Sequence, residues 1–403
     1  MKVTTAALHL CVLLAACSRP TAQQQQNAAT AGTTTAADAT ARTVAAAEAF
    51  LATLDDGGRT KISFDFNNQQ KSKWSNFPVG VYPRNGVRWG DLNATQRDAA
   101  LRVLSTALSK RGLQKVQQIM EGDEVLKAAE ALHGSGPMGS ASAGTPMGGT
   151  PAGGTMNATR AGGRPMSGAP MGGRRAGAGP PTDMAGPKFG RDEYYLAFLG
   201  APSLTQPWMI QFGGHHLAIN VTMVGRTSVL TPSLPAAQPA IYKLDGQTVR
   251  PLGSENDKSF ALINALDATQ QTKAILAYQV SDLVLGPGED GKTIQPEGIK
   301  ASDLTAAQQR MLLDLAHEWV GILNDEAAAA KMAELEAGLP ETWFAWSGPT
   351  TNGSSAYFRI QGPTLLIEYA PQRARGSTGL DLDHIHTIYR DPTNDYGARL
   401  VHR

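Results

Sequence analysis

Asp91-Leu92-Asn93-Ala94-Thr95-Gln96 returns 212 residues later as Asp303-Leu304-Thr305-Ala306-Ala307-Gln308, and that return decides how the chain is read. At the same spacing Leu54-Asp55 matches Leu266-Asp267, Thr60-Lys61 matches Thr272-Lys273, and Gly86 matches Gly298. Further along, at a shorter spacing, Ala197-Phe198-x-Gly200 matches Ala345-Trp346-x-Gly348 and Leu217-x-Ile219 matches Leu365-x-Ile367. The first copy therefore holds extra chain, and a Gly/Met/Pro-rich stretch from about His133 to Pro187 supplies it. Such self-similarity implies a repeated architecture.

Each copy starts helical. Asp91 and Asn93 offer N-cap chemistry before Ala94, and Leu101, Leu104 and Leu108 lie on one helical face. Helices are expected over Thr43–Leu54, Leu92–Ala131 (as a hairpin), Thr305–Ile322 and Asp325–Ala337. The period then changes. Tyr194–Leu199, Trp208–Phe212, His216–Val224, Trp343–Trp346, Ala356–Ile360, Thr364–Tyr369 and His384–Tyr389 carry the aromatic and β-branched content of strands. The expectation is an α+β fold, internally duplicated, with a pseudo-two-fold body. Copy one covers about 43–232 and copy two about 255–403, with the low-complexity insert at 133–187.

The ends predict export. Lys2, a short apolar run and Leu14-Ala15-Ala16-Cys17 form a lipoprotein signal, with Cys17 the lipidated residue. Ser18 after that cysteine favours the outer membrane, or a periplasm-facing position, in a Gram-negative host. Residues 18–42 read as a tether rich in Gln, Ala and Thr. Removal of residues 1–16 takes Cys11 with it and leaves Cys17 to the lipid, so thiolate sites and disulfides are excluded. The formal net charge is +1 and no basic stripe appears, which argues against nucleic acid as a partner.

Four of the eight histidines fall in two motifs, Gly213-Gly214-His215-His216 and Asp383-His384-Ile385-His386. On a strand, His384 and His386 share a face about 7 Å apart. His215 and His216 are expected on opposite faces, unless a bulge at the glycines turns both inward. Pro363 and Thr364 occupy the positions of His215 and His216 in copy two, and Asn220 that of Glu368 in copy one. These residues are thus not demanded by the repeat. His215, His216, His384, His386 and Glu368 form the candidate ligand set for a transition metal, Zn or Cu foremost. His215 and Glu368 are also candidate general bases, and Asp381 and Asp383 candidate partners that orient an imidazole. Structural roles for the histidines, and a metal-free pocket for a small ligand lined by Trp208, Trp343 and Trp346, stand as alternatives. A third reading is copper handling, in which the methionines of the insert recruit Cu(I). Arg84, Arg88 and Arg390 are candidates for an anionic group, or for pairing with acids.

Trp74-Ser75-Asn76, Pro83-Arg84-Asn85-Gly86, Gly90-Asp91-Leu92, Gln211-Phe212-Gly213-Gly214-His215-His216-Leu217 and His384-x-His386-x-x-x-Arg390-Asp391-Pro392-x-Asn394-Asp395-Tyr396-Gly397 together resemble the bacterial domain-of-unknown-function family numbered 3500. The likeness spans most of Val44–His402 and implies no particular activity or catalytic residue.

Overall fold

The structure is a computed structural model, described here over residues 39–133, 186–372 and 383–401. The leader, most of the tether, most of the insert, Asp381 and His402 lie outside these residues. The chain opens with α1 (39–52), α2 (Asp56–Ile62), β1 (Ser63–Phe64), β2 (Val87–Arg88), α3 (Ala94–Ala107) and α4 (Lys110–His133). β3 (Tyr195–Leu199), β4 (Trp208–Gly214), β5 (Leu217–Val224), β6 (Thr227–Val229) and β7 (Leu234–Pro235) follow. A small hairpin, β8 (Tyr242–Leu244) and β9 (Gln247–Val249), leads to α5 (Gly253–Ala265) and α6 (Ala268–Ala274). Then come β10 (Ile299–Lys300), α7 (Ala306–Val320), α8 (Asp325–Ala337) and β11 (Trp343–Ser347). β12 (Tyr357–Gly362), β13 (Leu365–Gln372), β14 (His384–Arg390) and α9 (Ala398–Val401) complete it.

The fold is mixed α and β, with largely antiparallel sheets. Local chemistry explains the helix starts. Asn93 and Thr305 each accept from the backbone three residues on, while Gln96 and Gln308 reach back to the cap N–H, a capping box at both sites. Asp91 is not the cap; it lies in a short 3-10 turn and pairs with Arg88 at 3.0 Å. The ends of α3 and α7 meet reciprocally. Ser109 N–H donates to Ile322 O at 3.0 Å, and Asn324 N–H to Ala107 O at 3.1 Å.

One sheet runs β1-β3-β4-β5-β6, with β2 on β3 and β7 on β5; the other runs β10-β11-β12-β13-β14. They meet edge to edge. The segment around β7 bonds β5 through Leu217 and Ala218, and bonds β14 through reciprocal Ser233–Tyr389 and Ala237–Ile385 bridges. Both imidazole motifs border this seam. Helices cover the sheets, and a core of Trp208, Trp319, Trp346, Phe198, Phe344 and Phe358 closes between the layers. Trp208 and Trp346 are fully buried core residues, and Trp343 is half-buried beside Lys300, so the alternative of a cleft lined by all three loses two of its walls. Indole rings bury large apolar area, which outweighs leaving them in a groove. Among the described residues no helix is long and apolar enough to cross a membrane.

Candidate metal centre

His215 and His216 do not start a strand. They are the two-residue turn between β4 and β5, and His216 has φ of +59°. Turn residues escape the pleat that sends neighbours to opposite faces, so the two rings lie side by side, centroids 3.8 Å apart. The left-handed backbone at His216 is a conformation that bulky residues seldom adopt, and such positions gather at functional sites. It is held by His216 N–H donating to Asn76 O at 3.1 Å and by Ala236 N–H donating to His216 O at 2.9 Å. Arg84 fixes the same corner, donating through Nη2 to Ser75 O, Phe77 O and Gly214 O.

β14 brings the other two rings. His384 and His386 project from one face, and the seam places them against the turn. His384 Nε2 lies 2.8 Å from His216 Nε2 and 2.8 Å from His386 Nε2. Among the described residues, His216, His384 and His386 form the group whose ligand atoms converge, all within 4.8 Å of one another. An imidazole nitrogen bears either one hydrogen or one lone pair. His384 Nε2 therefore cannot make a directional hydrogen bond to both neighbours at once. Three lone pairs facing one point are instead the geometry that a cation satisfies.

The surroundings orient the rings and, at His216 and His384, favour the neutral form. His386 Nδ1 lies 2.9 Å from Asp282 Oδ1 and donates to it, which leaves its lone pair on Nε2. A carboxylate behind an imidazole is the usual support of a metal-bound histidine. Burial, followed by the neighbouring imidazoles, holds His216 and His384 well below the usual histidine range. His216 Nδ1 is buried without a hydrogen-bond partner among the described residues. The Asn76 amide nitrogen sits 3.1 Å from His386 Nε2. His384 and Asp282 are partly exposed, so solvent reaches the cluster from that side.

The remaining candidates fall elsewhere. His215 turns to α4, where its Nδ1 lies 2.6 Å from Asp123 Oδ1, and Asp123 Oδ2 accepts from Gly190 N–H at 2.8 Å. Burial lowers the His215 pKa and the Asp123 hydrogen bond counters it. Glu368 is fully buried and its carboxylate is already occupied. Val284 N–H donates to it at 2.9 Å, Leu285 N–H at 2.8 Å and Tyr357 O–H at 2.6 Å. The expectation that Glu368 joins the imidazoles is corrected on this ground: it anchors the loop that carries Asp282. Asp383 presents its carbonyl to Ala240 N–H at 2.7 Å, and Asp282 is a carboxylate partner of His386. Neither Asp282 nor Asp123 stands in a recognisable motif; Asn76 does, within Trp74-Ser75-Asn76.

The arginines separate similarly. Arg88 pairs with Glu193 and Asp91, and Arg390 with Asp290 and Asp395, while Arg84 donates to backbone carbonyls and burial lowers its pKa to about 10. His317 is exposed on α7, and Glu318 beside it is buried against Arg111, Lys115 and Lys258.

A family model described as "Protein of unknown function (DUF3500)" matches residues 36–398. No curated protein and no solved structure matches.

Proposed function

The chain belongs to the DUF3500 family, and we propose that it is an exported protein that binds one first-row transition metal ion, zinc or copper, through His216, His384 and His386. One observation carries the reading: the imidazoles of His216, His384 and His386 turn their Nε2 atoms toward one point, and the Asp282 carboxylate holds His386 Nδ1 from behind. Nitrogen donors of this softness suit zinc, copper, iron and nickel rather than calcium or magnesium. A half-turn of the Asn76 amide offers an oxygen to the same point. Without it, three imidazoles leave a position for water or a substrate atom, the arrangement of catalytic zinc sites. A metal held this way supplies Lewis acidity and an acidified water, so hydrolytic reactions are the first class to screen. In that case His215, backed by Asp123, is the nearby candidate base, and its partner keeps the ring oriented.

Plasma mass spectrometry on the mature chain, alongside the His384→Ala/His386→Ala variant, tests the reading. Near-stoichiometric metal that disappears in the variant supports it. Absence of metal after reconstitution with zinc, copper, iron and nickel refutes it.

Export and anchoring at Cys17 belong to the same proposal. Cys17→Ala should move the protein from the membrane fraction to the soluble one, and unchanged partitioning would remove the anchor. The alternating order of helices and hairpins in the two sheets, with paired capping boxes, supports reading the body as two copies of one unit. The methionine insert lies outside the described residues. Deleting residues 135–186 should leave metal stoichiometry unchanged if the imidazoles are the whole site, and should lower copper binding if the insert recruits it.

A further inference from the structure

We propose that a second site, a cavity of about 370 Å³ beyond the far end of β14 from the imidazoles, binds a small amphipathic carboxylate. It lies between the β5–β6 hairpin and α8, and its volume falls within the range of small-molecule pockets. Val229, Leu230, Val320, Leu323, Ala327 and Ala330 make apolar walls. Tyr389 from β14 and the Thr231 hydroxyl also line it, and Thr231 Oγ1 is buried with no hydrogen-bond partner among the described residues. A buried hydroxyl without a partner is rare in a finished interior. It asks for a polar atom from whatever fills the space.

The charges decide which head group. Three carboxylates line the cavity, and each has a cation. Glu334 and Asp391 are held by Lys331 and Arg399, and Glu326 lies 3.9 Å from Arg42. Arg226, exposed at the turn after β5, lines the same cavity with no ion pair among the described residues. One surplus guanidinium beside apolar walls matches a monoanion with an apolar chain or ring. A dianion would meet three fixed carboxylates at short range, which disfavours it. The site shares no residue with the imidazole cluster and does not depend on the metal.

Titration calorimetry with decanoate against the full chain, with decanol as the uncharged probe, tests this. Decanoate should bind saturably at one site. Ala330→Trp, which fills the cavity, should weaken it about tenfold or more. Arg226→Gln, at an exposed turn where folding is not at risk, should weaken decanoate several-fold and leave decanol unchanged. Metal content and melting temperature, unchanged in both variants, report that the fold persists. If Ala330→Trp does not fold, Ala327→Met replaces it. Failure of decanoate to saturate, or equal affinity for the wild type and the cavity-filled variant, overturns the site. Equal affinity for decanoate and decanol overturns the carboxylate assignment.

Discussion

His216→Asn separates a ligand from a structural residue, because asparagine accepts the left-handed backbone that His216 adopts at φ +59°. In the metal-free protein the substitution has opposing effects. Relief at the turn returns about 1 kcal/mol. Asparagine puts an amide where the buried Nδ1 stands without a hydrogen-bond partner among the described residues, so that polar cost carries over unchanged. Against the relief, truncating a side chain that is only 3% exposed leaves a small cavity, at a cost of about 2 kcal/mol. The net change in metal-free stability is a loss of about 1 kcal/mol. The metal-bound protein behaves differently. At a free zinc concentration about a thousandfold above Kd, binding adds about 4 kcal/mol to wild-type stability. Loss of one of three imidazoles removes most of that gain. Urea unfolding of both proteins, with chelator and with buffered zinc, measures all four stabilities. The reasoning fails if the variant loses 3 kcal/mol or more without metal, which would make His216 a packing residue, or if zinc stabilises both proteins equally.

Asp282→Asn should keep the fold and weaken metal binding about 10- to 100-fold, measured by competition with a chelating dye, because the carboxylate behind His386 is lost. Glu368→Gln should destabilise the protein by about 1–3 kcal/mol in urea melts, since an amide cannot accept from Val284, Leu285 and Tyr357 as a carboxylate does; unchanged stability would remove its anchoring role. Asp395, raised to about 6 by burial despite Arg390, binds its proton more tightly in the folded state than in the unfolded one. Its contribution is therefore fully present below the unfolded value of about 4 and lost as pH rises through about 6. Relative to Asp395→Asn, the wild type should gain about 1–3 kcal/mol as pH falls across that window, and parallel stability curves would contradict it.

The wild-type residues show which parts of this molecule were legible. Helix starts were readable because caps are local: Asn93 with Gln96 and Thr305 with Gln308 satisfy N–H groups within one turn. α8 follows its expected bounds, Asp325–Ala337. The seven longest strands, β3, β4, β5 and β11 to β14, fall within two residues of their expected starts, for the same reason of short-range patterning. Two local errors had physical causes. His216 was placed in a strand, but a two-residue turn takes it off the pleat. Glu368 is grouped with the imidazoles because a carboxylate stands there in only one copy. A place in the repeat says nothing about which loop crosses the sheet face, and here Val284 and Leu285 of the crossing loop, with Tyr357 of β12, take its hydrogen bonds.

By itself, the sequence determined the mixed α and β composition, helices such as α3, α7 and α8, the strands β3, β4, β5 and β11 to β14, the family and the residue types able to hold a metal. His384 and His386 sit together on one strand face because an extended backbone sends alternate side chains to the same side. The tertiary structure alone decided that His216 meets them. That contact spans 168 residues and depends on the β7 segment joining two sheet edges, a long-range pairing with no local signature. The same holds for Asp282, which reaches His386 across 104 residues because Glu368 and Arg390 pin its loop. Local hydrogen bonds and periodicity are encoded within a few residues, whereas convergence of a site depends on how whole layers dock.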